Sequence, residues 1–213
     1  MKKYVLYLAS FALLFAGSVL AAEKAKEAGA KADEGASAKR LTLIKFDKGE
    51  MYGDGTDNGS VKTSLSKEKA EKGKMYSCKI EMKKRGADAE GEVGASFPGI
   101  SKASGILSGK RGNWENYDSL NIKYVLEGDK PITAIMMIGD APAYEKWRYG
   151  NYVERSVTFR PGENILSMDI TGLSCSGGRS LDLKSMRGFV FWMPNRQEDV
   201  VLYIQDTYLE KDE

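Results

Sequence analysis

Tyr144, Trp147, Tyr149 and Tyr152 fall within nine positions, interleaved with Glu145, Lys146, Arg148, Asn151 and Glu154. Flat apolar rings beside hydrogen-bond donors and acceptors suit a ligand that carries both kinds of surface. A pyranose is such a ligand: its CH face packs on an aromatic ring and its hydroxyl edge needs polar partners, while the rigid rings of Tyr and Trp give contact area at little entropic cost. In an extended segment Trp147 and Tyr149 point to one side. The competing use of these rings is to cap the edge of a core.

A second group is Trp192, Tyr203 and Arg196. Phe189, Phe191 and Met193 alternate with Val190 and Trp192, and Val200, Leu202 and Ile204 alternate with Val201, Tyr203 and Gln205. Both sides of these segments are apolar or aromatic, so the side away from the core is either covered by loops or holds a ligand. On adjacent strands, Trp192 and Tyr203 would floor a cleft beneath the 144–152 segment, with Arg196 in the following loop as a polar partner.

The chain contains no histidine. That removes serine–histidine and cysteine–histidine hydrolases, histidine-ligated zinc and every imidazole acid/base mechanism. Paired carboxylates alone can hydrolyse glycosides, and Glu81, Glu90, Glu92, Asp140, Glu145 and Glu154 are available, but none forms an alternating acidic motif on one strand. Tyrosine with lysine or arginine could support lyase chemistry. The expectation is a protein that is not an enzyme and requires no cofactor.

These residues need elements to position them, and the amino terminus comes first. Lys2 and Lys3 precede an apolar stretch that ends in small residues at 19–22, the pattern of a cleaved signal peptide (1–22). Cleavage implies export to the periplasm or beyond, with no transmembrane segment left. Residues 23–40 are Ala, Lys, Glu, Gly, Ser and Asp with no large apolar side chain until the body begins, and read as a linker. Without Lys2 and Lys3, 30 basic residues face 30 acidic ones, so no nucleic-acid partner is expected. Cys78 and Cys175, in an oxidising compartment, suggest one disulfide; Cys78 also fits as a small buried hydrophobe in the row Tyr76, Cys78, Ile80, Met82.

From residue 41 to 213 the hydrophobic period is two, and no long segment sustains the helical period. Strands are predicted over 41–47, 60–65, 74–84, 92–97, 119–127, 132–139, 153–159, 164–170, 188–193 and 200–209. In 119–127, Leu120, Ile122, Tyr124 and Leu126 share the core side. Arg160, Pro161, Gly162 and Glu163 form a type II turn, expected to link neighbouring strands. A helical turn is expected over 181–186, capped by Ser180. Ten short strands between turn residues predict an all-β fold, an antiparallel β-sandwich.

Four pieces in order, 113–122 (Asn-Trp-Glu-Asn-Tyr-Asp-Ser-Leu-Asn-Ile), 159–164 (Phe-Arg-Pro-Gly-Glu-Asn), 181–183 (Leu-Asp-Leu) and 202–206 (Leu-Tyr-Ile-Gln-Asp), resemble the galactose-binding-like jelly rolls of secreted carbohydrate-binding modules. The resemblance spans roughly 41–209. It implies a jelly roll and a glycan partner, with a cell-envelope protein as the alternative partner. It also implies a structural calcium at Asp47 and Asp206, which fall on the first and last strands; Asp54 and Asp57 offer a second cation loop or simply turns. The expected glycan contacts are Trp147, Tyr149 and Trp192 with Arg148 and Arg196, supported by Tyr144, Tyr152 and Tyr203.

Overall fold

The computed structural model describes residues 40–55, 59–84, 96–101, 106–107, 109–146, 148–193 and 196–212. The expected signal peptide, the linker up to residue 39, and Asp57, Glu90, Glu92 and Trp147 lie outside the described residues.

Among the described residues ten strands form: β1 (Arg40–Thr42), β2 (Val61–Ser66), β3 (Ser77–Met82), β4 (Ser96–Ser101), β5 (Ser119–Leu126), β6 (Ile132–Asp140), β7 (Val153–Phe159), β8 (Gly162–Asp169), β9 (Met186–Trp192) and β10 (Val200–Glu210). Two antiparallel sheets hold them. One runs β2-β3-β10-β5-β8 with β1 beside β10; the other runs β4-β9-β6-β7. The long strand β10 organises the first sheet: Val200 to Ile204 pair with β3, Tyr208 to Glu210 pair with β1, and β5 lies along the other edge. The described residues are thus nearly all β, a sandwich of the jelly-roll type.

Arg40, placed by composition in the linker, is the first residue of β1 and pairs with Glu210. β1 is shorter than predicted, because the chain turns into a 3-10 helix at Phe46–Lys48 and buries Leu43, Ile44 and Phe46 in the core. Gly162 has the positive φ of 80° that a type II turn needs. Its role differs from expectation: β7 belongs to the four-stranded sheet and β8 to the six-stranded one, so the turn crosses between sheets. The amide of Arg160 donates to the Tyr124 hydroxyl (2.7 Å), which ties that corner to β5.

Leu120, Ile122, Tyr124 and Leu126 of β5 face Phe159, Phe189 and Phe191 of the other sheet, all buried. The rings meet edge-on, Tyr124 with Phe159 at 5.0 Å, Phe159 with Phe191 at 5.5 Å and Phe189 with Phe191 at 5.6 Å. Each such pair contributes about 0.5–1.5 kcal/mol beyond area burial. This run of rings, not a disulfide, crosses the sandwich. Cys78 and Cys175 are both free and buried; Cys78 faces the core from β3, whereas Cys175 follows β8 and its thiol donates to the carbonyl of Asn151 (3.2 Å). The expected bridge between them is not formed.

Candidate functional site

β6 ends at Asp140, and the next residues are Ala141 and Pro142. An acidic residue before a proline in the first helical turn favours a helix start, and a short helix α1 (Ala141–Glu145) follows, with the Asp140 carboxylate accepting from the amide of Ala143 at 3.1 Å. The same carboxylate receives both terminal nitrogens of Arg179 (2.5 and 2.9 Å) and the amide of Asp182 (2.8 Å). Burial alone would raise the Asp140 carboxyl; the guanidinium of Arg179 and these two amides outweigh it and hold the group below its ordinary value.

Arg179 also donates to the carbonyl of Asn151 (2.8 Å), and the Asn151 side chain donates to the carbonyls of Pro142 and Lys146. Two further backbone bonds, Ser176 to Tyr152 and Gly177 to Gly150, fasten the β6–β7 loop to the 174–180 segment. Gly177 must be glycine there, since a Cβ would meet the carbonyl oxygen of Gly150 at 2.6 Å. The loop that carries the predicted rings is therefore locked by a charged network beneath it. It presents Tyr149 with 76% of its surface exposed and Tyr144, on α1, with 37%. Arg148 between them is exposed, while Tyr152 turns inward and is buried. The loop is not the extended segment expected, because Asp140 starts a helix and Gly150, at a φ of 90°, ends a turn.

The second predicted group does not assemble. Trp192 lies on β9 opposite Ile135, in the four-stranded sheet, and Tyr203 lies on β10 in the other sheet. Trp192 is half-buried on the outer face of its sheet, beside Ile135, Met137 and Val190. It cannot floor a cleft under the β6–β7 loop, since Ile135 precedes Asp140 by five residues, about 17 Å of strand. Tyr203 is 2% exposed; the β2–β3 connection covers it, and its hydroxyl donates to Glu68 (2.7 Å). Arg196 is 3% exposed and donates to the carbonyls of Lys83 and Met193, where it fastens a loop.

Asp47 and Asp206 line one cleft, as the calcium expectation requires. One oxygen of Asp47 and both oxygens of Asp206 are already engaged. Asp47 accepts from the amides of Met75 and Tyr76, and Asp206 is paired with Arg40 at 2.6 Å. Calcium takes six to eight oxygens, and among the described residues no group of three acidic, His or Cys side chains comes together. The donor set does not fit calcium. Of the other carboxylates considered for catalysis, Glu81 lies against Lys79 (3.4 Å) and Asp140 is the buried partner of Arg179.

Sequence reasoning missed Arg179 and Gly177, and it read Asp140 as a candidate catalytic carboxylate and Asn151 as a ligand-side polar group rather than as parts of the clamp. The Asp-Ala-Pro start of α1 was readable as a helix cap, and the Gly177-Gly178 pair as a turn; the pairing of Arg179 with Asp140 across 39 residues left no local signal. The capped turn near residue 181 forms as a 3-10 helix at Leu183–Ser185, capped by Asp182 rather than Ser180.

The fold is similar to that of the carbohydrate-binding module CtCBM11, with a TM-score of 0.56 at 12% identity, covering 84% of this chain and 99% of that one. A family 11 carbohydrate-binding module from Clostridium thermocellum, in complex with a beta-1,3-1,4-mixed-linked tetrasaccharide, gives a TM-score of 0.45 at 11% identity, covering 84% of this chain and 93% of that one. An exo-beta-agarase gives 0.49 at 12% identity, covering 85% of this chain and 24% of the enzyme. No protein-family model matches the sequence, and no curated protein matches it. The class defined is a β-jelly roll; at this identity the likeness to a carbohydrate-binding module is one of fold alone.

Proposed function

We propose that this chain is an exported, non-catalytic module that binds a glycan through the β6–β7 loop. Tyr149 is the stacking ring, Tyr144 flanks it on α1, and Arg148 supplies hydrogen bonds to hydroxyls. One observation carries the reading: two of the four large hydrophobic side chains exposed among the described residues are tyrosines of this one loop, and that loop is clamped by the Asp140–Arg179 pair. A loop fixed in place before the ligand arrives loses little freedom on binding. The likeness of fold to a carbohydrate-binding module supports the ligand class.

A glycan array followed by calorimetry, with wild type and Tyr149→Ala, tests it. Binding to a defined set of glycans, weakened at least about tenfold in the variant, is expected. Silence across the array, or equal binding by both proteins, contradicts it.

A second reading, docking of a cell-envelope protein, has its own observation. On the outer face of the four-stranded sheet Ile135 lies opposite Trp192 and Met137 opposite Val190, a half-exposed apolar strip. Retention of one envelope protein by wild type but not by Trp192→Ala, with glycans inert, would favour it.

A further inference from the structure

A cleft of about 240 Å³ opens beside β10, between the segment that follows β1 and the end of the β2–β3 connection. It is smaller than the roughly 300 Å³ at which drug-sized sites begin, and so is matched to one sugar-sized molecule. Its position is set by a bulge: the register of β10 against β5 shifts between Ile204 and Asp206, leaving Gln205 as the extra residue. Bulges re-aim side chains, and here the carboxamide of Gln205 lies against the β2–β3 connection, donating from Nε2 to the carbonyl of Lys69 (2.9 Å).

Gln205 is 5% exposed and lines the cleft, and its Oε1 is buried with no hydrogen-bond partner. Buried acceptors are normally satisfied, so this one is poised for a donor that the protein does not supply. The rest of the lining states what else the donor should carry. Lys45, Lys48 and Lys74 surround the cleft, and none of them is in an ion pair among the described residues. Its two carboxylates are engaged elsewhere, Asp47 by the amides of Met75 and Tyr76 and Asp206 by Arg40. Three ammonium groups outside any ion pair against one carboxylate, Asp47, that no cation neutralises leave a net positive charge, which favours an anion. Phe46 and Tyr76 add apolar and aromatic surface for a CH face.

We infer that this cleft is a second site, independent of the β6–β7 loop, for a small sugar acid: a hydroxyl donates to Gln205 Oε1 while the carboxylate lies among Lys45, Lys48 and Lys74. The same chemistry occurs in a free hexuronate and at the end of an acidic polysaccharide chain.

Calorimetric or NMR titration of the full chain with glucuronate, using glucose and acetate as controls, decides it. Glucuronate is expected to bind at least about tenfold more tightly than either control. The surface variant Lys45→Ala/Lys74→Ala should lose at least tenfold, Gln205→Met should bring glucuronate down toward acetate, and Tyr149→Ala should leave glucuronate binding unchanged. Galacturonate and its oligomers separate the sources: binding of both marks a chain end, and binding of the monomer alone marks a free acid. Equal binding of acetate and glucuronate, equal binding of glucose and glucuronate, an unaffected lysine double variant, or no response at about 10 mM would overturn the assignment. Loss of glucuronate binding in Tyr149→Ala would overturn the independence of the two sites, whereas a silent glycan array with glucuronate still bound would count only against the loop.

Discussion

Arg179 grips Asp140 with both terminal nitrogens, at 2.5 and 2.9 Å, and the Asp140 side chain is wholly removed from water. The two residues are 39 positions apart, and the pair joins the end of β6 to the loop before β9. Bidentate charge-assisted bonds are the strong kind, and removing one partner of a buried pair leaves the other charge stranded. Asp140→Asn is therefore expected to cost about 3 kcal/mol of stability, the low end for a buried pair because Arg179 is one-third exposed. Urea denaturation of the two proteins measures this; a loss below about 0.5 kcal/mol would mean that the pair is ornamental.

The same pair gives a pH dependence of known sign. The native Asp140 carboxyl titrates below its ordinary value, so its stabilisation is fully present above the unfolded value of about 3.9 and is lost as pH falls through the native value. The stability gap between wild type and Asp140→Asn should be constant from neutral pH down to about 5 and should shrink below about 4. A gap that widens on acidification contradicts the assignment.

Gly177 and Gly178 are adjacent, yet they should respond differently to alanine. A Cβ at Gly177 meets backbone that cannot swing aside, at 2.6 Å from the Gly150 carbonyl oxygen; at Gly178 there is open space, and only the φ of 85° opposes a side chain. Gly177→Ala is expected to part the two loops, with faster amide exchange at Gly177 and Ser176, at a cost of about 1–3 kcal/mol. Gly178→Ala should cost about 1 kcal/mol with those amides still protected.

The two thiols give a redox test. Burial pushes the Cys78 thiol up to about 12, which leaves almost no thiolate for reaction. A thiol reagent should therefore find Cys78 silent in the folded protein and reactive in denaturant, and reduction should leave Tm unchanged. A drop of several degrees on reduction would mean that a disulfide forms after all.

Eight of the ten strands were legible over most of their length, because a period of two is written locally in residues such as Leu120, Ile122, Tyr124 and Leu126; β1 and β4 overlap their predicted spans at only two residues each. Which sheet each strand joins was not legible. Periodicity tells which side chains share a face, but it is silent on the partner strand, so Trp192 and Tyr203 looked like neighbours although the sandwich separates them. Arg196 looked like a ligand contact because a charged residue in a loop is usually solvated; its burial depends on the carbonyls of Lys83 and Met193, which come from distant parts of the chain. Tyr149 was legible because a large ring beside Arg148 and Gly150 has no apolar row to join. What holds it in place, Asp140 with Arg179, is a pairing between remote residues and has no signature in either segment.

The most direct measurement is a backbone and side-chain NMR titration with the tightest-binding glycan from the array. The account predicts that the largest shift changes fall on Tyr149, Tyr144 and the amides around them, with Trp192 and Tyr203 undisturbed. Changes centred on Trp192, Ile135 and Val190, with the Tyr149 ring unmoved, would contradict it.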